Sequence, residues 1–486
     1  MASSCWKLDK VALDLDSVRN RMNVRFYFVY FLCLLICSPG LTQERSSADN
    51  FSDEHVKRLQ KEAKEKRQRY EAILNHFDGN IKAAKDSLRQ YHRAVYEKDA
   101  QTRIAAYRSN DRPDTLTVID LSHGRLDKLP DFVFQATQLE LLILDHNDFK
   151  KLPGKIKKLK HLKRLEWSAI QVPHKKGKVP KLKSLETLDL SQNTFIKLVS
   201  LKKLKALRTL DLSKNQFSGI PLKAIQGHRA LENLYMNQNT HLTIGPANYA
   251  SIPSLKVLKL NECGLTAIDE SLYGITTLTE LQLPKNEIAH VPGGISNLKQ
   301  LKTISFYKNQ LEDLPADFYK LENLEIVDLY YNRLSRIDTA ISLLQNLKVL
   351  YLSNNEIYDL PPQLGQLPNL RELYLAFNRL TAIPEIRGLE LLRVLRIDHN
   401  NLYEFPNDLL YLTGLTYLDV SNNAIREIPP GLDTSYPNME LLYFRDNPID
   451  FETPENQFIA PMIFEMSQRG VVCSPSFSPE KKKRHP

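Results

Sequence analysis

Leu185-Glu-Thr-Leu-Asp-Leu-Ser-Gln-Asn193 returns as Leu207-Arg-Thr-Leu-Asp-Leu-Ser-Lys-Asn215 and again as Leu347-Lys-Val-Leu-Tyr-Leu-Ser-Asn-Asn355. The common pattern is Leu-x-x-Leu-x-Leu-x-x-Asn. Its asparagine recurs at 147, 193, 215, 239, 286, 309, 332, 355, 378, 400, 423 and 447, and Gly124, Ile170 and Cys263 hold that place in the intervening copies. Steps of 22 to 24 residues give fifteen copies between about 116 and 450. The Leu-x-Leu alternation has the period of a strand with one face buried and one exposed. An asparagine amide carries both donors and acceptors, so it can tie a turn to neighbouring backbone. The connecting half, often Leu-Pro-x-x-Leu-x-x-Leu as at Leu314-Pro315 and Leu360-Pro361, returns along the outer side. One copy cannot bury its leucines alone, whereas a stack makes a continuous core.

A repeat of 20–29 residues with this signature resembles the leucine-rich repeat. The copies are similar to the 23-residue class found in Shoc-type Ras scaffolds, plant intracellular leucine-rich-repeat proteins and exported bacterial proteins. The resemblance covers about 335 of the 486 residues. It implies an α/β solenoid, a curved horseshoe with parallel strands on its concave face, and a surface that binds a protein or another ligand rather than catalysing a reaction. The cysteine-rich flanks of animal extracellular members are absent, as is the phosphate loop of GTPase-fused relatives. The third copy is the weakest: Trp167 replaces a leucine, Ile170 replaces the asparagine, and Val172-Pro-His-Lys-Lys-Gly-Lys-Val-Pro180 follows.

Outside the repeats the reading divides the chain into a prefix and signal peptide (1–40), a linker (41–51), a helical hairpin cap (52–109), the solenoid (114–450), a carboxyl cap (451–473) and a disordered basic tail (474–486). The twelve apolar residues Phe26–Cys37 follow Arg19, Arg21 and Arg25 and precede Ser38-Pro39-Gly40. That length suits the core of an export signal and falls short of a bilayer about 30 Å thick, so no transmembrane span is expected. The pattern places the initiator at Met22, with cleavage near Gly40. A lipid anchor on Cys37, or an uncleaved segment in a cytoplasmic chain, remain the alternatives. The expected location is therefore secreted, periplasmic or cell-surface. In 52–108, apolar residues recur at helical spacing from Val56 to Phe77 and again from Ile81 to Val95, with Asp78-Gly79-Asn80 as the turn. Such a hairpin either caps the open end of the solenoid or forms a dimerising coiled coil. Helical spacing over Phe458 to Ser467 closes the other end.

Charge is local. The net charge is +9, yet Lys150–Lys205 alone holds sixteen lysines and one arginine against three acids, leaving the remainder slightly acidic. Lys150, Lys151, Lys155, Lys157, Lys158, Lys175, Lys176, Lys178, Lys202 and Lys203 fall mostly in the returning halves of repeats 2–5. Such a rim either attracts a polyanionic or anionic surface or simply solvates the chain. Nucleic acid is disfavoured, because no recognised nucleic-acid module accompanies the charge.

The concave positions of repeats 9–15 collect aromatics. Tyr351, Tyr374 and Tyr443, with Tyr235 earlier, lie between the strand leucines. Tyr307, Tyr330, Tyr331 and Phe377 follow them, and Tyr417 precedes one, with Arg396, Asp398, His399, Asp419, Arg445 and Asp446 interspersed. Tyrosine offers large amphipathic area at low entropy cost and arginine complements it, so the patch reads as a partner site. The competing reading is tyrosine stacking that serves only the sheet. Cysteines at 5, 33, 37, 263 and 473 show no disulfide framework or metal-ligand spacing. No metal, cofactor or catalytic constellation is expected. Asp398–His399 and Asp145–His146 are adjacent, so as strand neighbours they point apart and make poor pairs. Cys263 at an asparagine position reads as a buried structural thiol.

Overall fold

The computed structural model describes residues 81–170 and 176–475. The expected export signal, the amino half of the expected hairpin and the tail beyond 475 lie outside the described residues. The chain falls into two units, 1–95 and Tyr96–Pro486. Of the first, the described part is helical and belongs to the helix Ile81–Arg108.

The second unit is a stack. Each of the fifteen repeats contributes a three-residue strand, from Val118–Asp120 in repeat 1 to Leu441–Tyr443 in repeat 15, and Val472–Ser474 adds a sixteenth. All lie in one parallel sheet in which each repeat's strand pairs with the next. Register follows the repeat without slippage: Leu350 faces Val327 on one side and Leu373 on the other. The returning halves carry single turns of 3-10 helix such as Ala316–Lys320 and Thr339–Leu343, instead of full α-helices. Between sheet and turns the leucine positions are fully buried, and one core runs from Ile104 to Val471. In repeat 3 Trp167 fills the leucine slot, buried and 6.2 Å from the Phe195 ring. Where a 22-residue step compresses repeats 12 and 13, backbones nearly touch. A side-chain carbon at Gly365 would meet the Glu385 carbonyl, and one at Gly388 the Gly365 carbonyl.

The asparagines explain the stacking. Asn332 donates to its own Leu329 carbonyl (3.0 Å) and to the Phe306 carbonyl of the preceding repeat (2.9 Å), and accepts from Leu311 N–H (3.0 Å). Its neighbour Asn355 repeats this one step on, with Leu352, Leu329 and Leu334. The amide thus ties each turn chiefly to the repeat before it. Cys263 substitutes in kind: its thiol donates to the Met236 carbonyl of repeat 6 at 3.2 Å, and burial raises it to about 11. Immediately before the asparagine the backbone is left-handed in every repeat, from His123 (φ 59°) to Asp446 (φ 55°).

Both ends of the stack are covered. Ala100 and Ile104 bury against repeat 1 while Gln101 donates to the Gly124 carbonyl and Arg103 to the Ser122 carbonyl. At the far end Ile459, Met462, Ile463 and Met466 of the helix Ile459–Gln468 are buried. Asn332→Ala leaves the buried Leu311 N–H unpaired at about 1–3 kcal/mol, while the Leu329 and Phe306 carbonyls each lose one of two donors and keep those of Asn355 and Asn309. We therefore expect a loss of roughly 2 kcal/mol, seen as a lowered urea midpoint, against about 1 kcal/mol for Cys263→Ala, whose thiol makes only weak bonds.

Candidate functional site

The sheet presents its strand residues on the concave face, and parallel in-register pairing turns equivalent positions into columns about 4.8 Å apart. In repeats 9–15 the aromatic candidates meet as neighbours. Tyr307 stacks on Tyr330 at 5.4 Å, and Tyr331 stands 4.5 Å from Tyr330. Tyr351 stacks on Tyr374 at 4.7 Å with ring planes 20° apart. Tyr417 meets Tyr443 edge-on at 5.9 Å. The tyrosines therefore do stack across strands, worth roughly 0.2–1 kcal/mol per pair, and most remain half-buried. Tyr374 also donates its hydroxyl to the Glu372 carboxylate at 2.8 Å.

Tyr331 and Phe377 differ from the rest. They occupy the left-handed position before the asparagine (φ 56° for both), which Asn and Asp fill more easily than an aromatic residue. They are also 44% and 45% exposed. Neither the backbone nor the core calls for an aromatic there.

Arg396 sits among these rings, facing Tyr374 and Asp419 in register on either side. It grips Asp398 through two hydrogen bonds of 3.1 Å. The expectation that Asp398 and His399 point apart is corrected here. Because His399 is left-handed (φ 54°) rather than extended, its ring turns back. Nδ1 lies 2.9 Å from the Asp398 carboxylate, and the ring stacks on Phe377 at 3.9 Å. The fully buried Asp398 thereby fixes one guanidinium and one imidazole toward the concave side. Arg445, at the end of the row, is exposed and lies 3.7 Å from Asp446. Sequence reasoning treated residue 399 as part of a strand, and only the fifteen-fold recurrence of that position could have marked it as a turn.

A second feature of the concave face also escaped the sequence reading. Asp120, Asp145, Glu166, Asp189 and Asp211 line repeats 1–5, and the recurring Leu-Asp-Leu-Ser was the available signal. Asp189 and Asp211 each accept the backbone N–H of the serine two residues on, at 2.7 and 2.8 Å. Burial pushes Asp145 up to about 7 and Asp211 up to about 6, each helped by the charge of Asp189. Burial also raises Asp189 and Glu166. Nearby, His123 stacks between Tyr96 (5.0 Å) and His146 (4.3 Å), and burial with the His146 charge lowers it to about 4.

Of the lysine candidates, Lys150, Lys151, Lys155, Lys157, Lys158, Lys178, Lys202 and Lys203 are exposed. Lys176 pairs with Lys197 in a two-stranded sheet apart from the concave one. Lys175 lies outside the described residues. Among the described residues no group of His, Cys, Asp or Glu has a metal-binding arrangement, and no helix is long and apolar enough to cross a membrane.

Sequence profiles described as leucine-rich repeat region, leucine-rich repeats in two copies, and leucine-rich repeat match residues 233–382, then 183–224 with 368–411, and 414–434. The chain is a leucine-rich-repeat protein. A leucine-rich-repeat protein of Leptospira interrogans is 27% identical with a TM-score of 0.62, over 76% of this chain and 98% of that one. The Arabidopsis receptor kinase HAESA, solved with the peptide hormone IDA and the co-receptor SERK1, is 25% identical at a TM-score of 0.50, over 71% and 61%. An internalin from Listeria monocytogenes shares the fold at 19% identity and a TM-score of 0.50, over 71% and 94%. No curated protein compared with the chain matches it. Leucine-rich-repeat proteins generally bind proteins or other ligands on this kind of surface.

The raised carboxylates of this leucine-rich-repeat chain carry a pH consequence. A carboxylic acid whose folded value lies above its unfolded one favours folding when protonated. That contribution is complete below the unfolded value and is lost as pH rises through the folded value. Stability should therefore fall between about pH 4 and about pH 7. Asp145→Asn, which keeps the acceptor for the Ser168 N–H (2.7 Å in the parent), should raise the melting midpoint at about pH 8 and change it little at about pH 4. Thermal melts at the two pH values check this.

Proposed function

We propose that this chain is an exported, non-catalytic binding protein that captures a partner, a protein or a surface glycan, on the concave face of repeats 9–15. The contact set is Tyr307, Tyr330, Tyr331, Tyr351, Tyr374, Phe377, Arg396, Tyr417, Tyr443 and Arg445. The observation that carries the reading is the placement of Tyr331 and Phe377, exposed aromatics at a left-handed position that the fold fills with polar residues in most other repeats. Strained or costly local choices that persist without a folding role mark contact sites. Around them, stacked tyrosines supply rigid area and Arg396, held by Asp398, supplies an oriented donor. Relatives solved with bound peptides and proteins support the class of activity. The boundaries proposed for the chain are those of the sequence: signal to 40, helical cap 52–109, solenoid 114–450 and carboxyl cap 451–473.

Tyr331→Asn with Phe377→Asn separates binding from folding, because asparagine suits the left-handed backbone. The double variant should melt within a few degrees of the parent and lose most partner capture from surface and envelope fractions of the producing cells. Equal capture by a folded variant removes this site. Tyr351→Ala with Tyr374→Ala should also weaken capture while costing about 1 kcal/mol of stability through the lost stack. Export is tested by intact mass: a chain beginning near Leu41 in a periplasmic or medium fraction supports it. A full-length cytosolic chain favours an intracellular scaffold.

A further inference from the structure

Buried leucines on the returning side align the lysines of repeats 2–4. Leu159, Leu182 and Leu204 occupy one buried position in successive repeats, and Leu162, Leu185 and Leu207 the next. The residue before the first set is Lys158, Lys181 and Lys203, and the residue after it is Lys160, Lys183 and Lys205. Lys155 and Lys178 form a third, shorter column. All eight are exposed, and none has a carboxylate partner among the described residues. Either side of these repeats the same columns hold Gln135 and Gly227, and Thr137 and Arg229, so the lysine grid is confined to three repeats.

The contrast with a neighbouring column is what gives the grid meaning. Just ahead of the strands basic side chains find an acid one repeat away, in these repeats as elsewhere: Lys163 reaches Glu140 (2.7 Å), Arg208 and Lys256 both reach Glu232 (2.9 and 3.3 Å), and Lys302 and Lys348 both reach Glu325 (3.0 and 2.6 Å). Like charges in neighbouring register positions destabilise each other, so stacking lysine on lysine works against the fold. A solvated face would be served as well by mixed charge. The same repeats carry the carboxylates Asp145, Glu166 and Asp189 on their opposite, concave face, which polarises the solenoid across its thickness. At the edge of the grid Ile196 and Val199, 40% and 42% exposed, flank the strand Lys197–Leu198.

We propose that this lysine grid docks the protein on an anionic phospholipid bilayer. A two-dimensional array of cations matches a plane of headgroups better than a single linear polyanion, which would follow one column. The apolar edge gains free energy only where acyl chains are within reach. Each lysine near an anionic leaflet adds attraction that fades within a Debye length. The concave face points away from the plane and stays open, so the proposal does not depend on what that face binds.

The test is co-sedimentation of the full chain with equimolar phosphatidylcholine–phosphatidylglycerol vesicles and with phosphatidylcholine alone. Binding should require the anionic lipid and weaken steeply with salt. Lys158→Glu with Lys181→Glu and Lys203→Glu should lower vesicle affinity roughly a thousandfold or more, with an unchanged melt. Neutralising the second column, Lys160→Gln with Lys183→Gln and Lys205→Gln, should lower it roughly a hundredfold. Ile196→Ser with Val199→Ser should weaken vesicle binding and leave adsorption to heparin as it was. Absence of vesicle binding, or indifference of a folded charge-reversed variant, overturns the proposal. Heparin binding without vesicle binding replaces it with a soluble polyanion.

Discussion

Everything in this solenoid hangs on one side-chain amide. A strand of three residues and a turn of 3-10 helix cannot satisfy their own backbone groups, and an isolated repeat would leave carbonyls and N–H groups facing its core at a cost of about 1–3 kcal/mol each. The ladder asparagine closes that deficit by bonding to its own strand and to the repeat before it. Hydrophobic burial makes stacking favourable, but the amide determines how repeats stack, because its reach fits a single register. Strand pairing then follows in register from repeat to repeat.

The same geometry sets the left-handed residue before each asparagine, and that residue connects fold to candidate function. The backbone must reverse there to deliver the amide inward, so whatever side chain occupies the position is turned outward at the end of a strand. Polar residues fill it in most repeats. Tyr331 and Phe377 do so at a cost, and His399 uses the turn to stack on Phe377 and reach Asp398. A position required by architecture has thus become a place where side chains can be displayed in a row.

This division explains what could be read from residues alone. Buried positions answer to one requirement, apolar volume at fixed spacing, so fifteen copies of Leu-x-x-Leu-x-Leu-x-x-Asn announce strand, register and repeat count at once. Even the departures are intelligible, since Trp167 keeps the volume and Cys263 keeps a weak donor to the preceding repeat. Which tyrosines lie in neighbouring columns was legible for the same reason, because columns follow from the period. Side-chain direction at the turn was not. Residues 398 and 399 look like consecutive strand positions, and only a positive φ brings the carboxylate and imidazole together. Nor did Leu-Asp-Leu-Ser reveal its electrostatics: burial, with a smaller push from the charge of Asp189, holds Asp145 and Asp211 well above the ordinary range.

Charge on the two faces obeys different constraints. On the concave side acids are buried against the sheet, and that burial, more than their mutual charge, raises them. On the returning side the turns are joined mainly through buried leucines, and exposed residues vary without disturbing the ladder. Just ahead of the strands lysine pairs with glutamate from repeat to repeat, Lys163 with Glu140 among them. The returning-side lysines of repeats 2–4 do not, and they gather behind the concave acids Asp145, Glu166 and Asp189. The leucine and asparagine positions in those repeats, that of Ile170 included, are as well buried as elsewhere. The stack itself therefore does not call for this distribution, and a polarised segment in an otherwise charge-balanced solenoid is accounted for more naturally by a surface outside the molecule than by any contact within it.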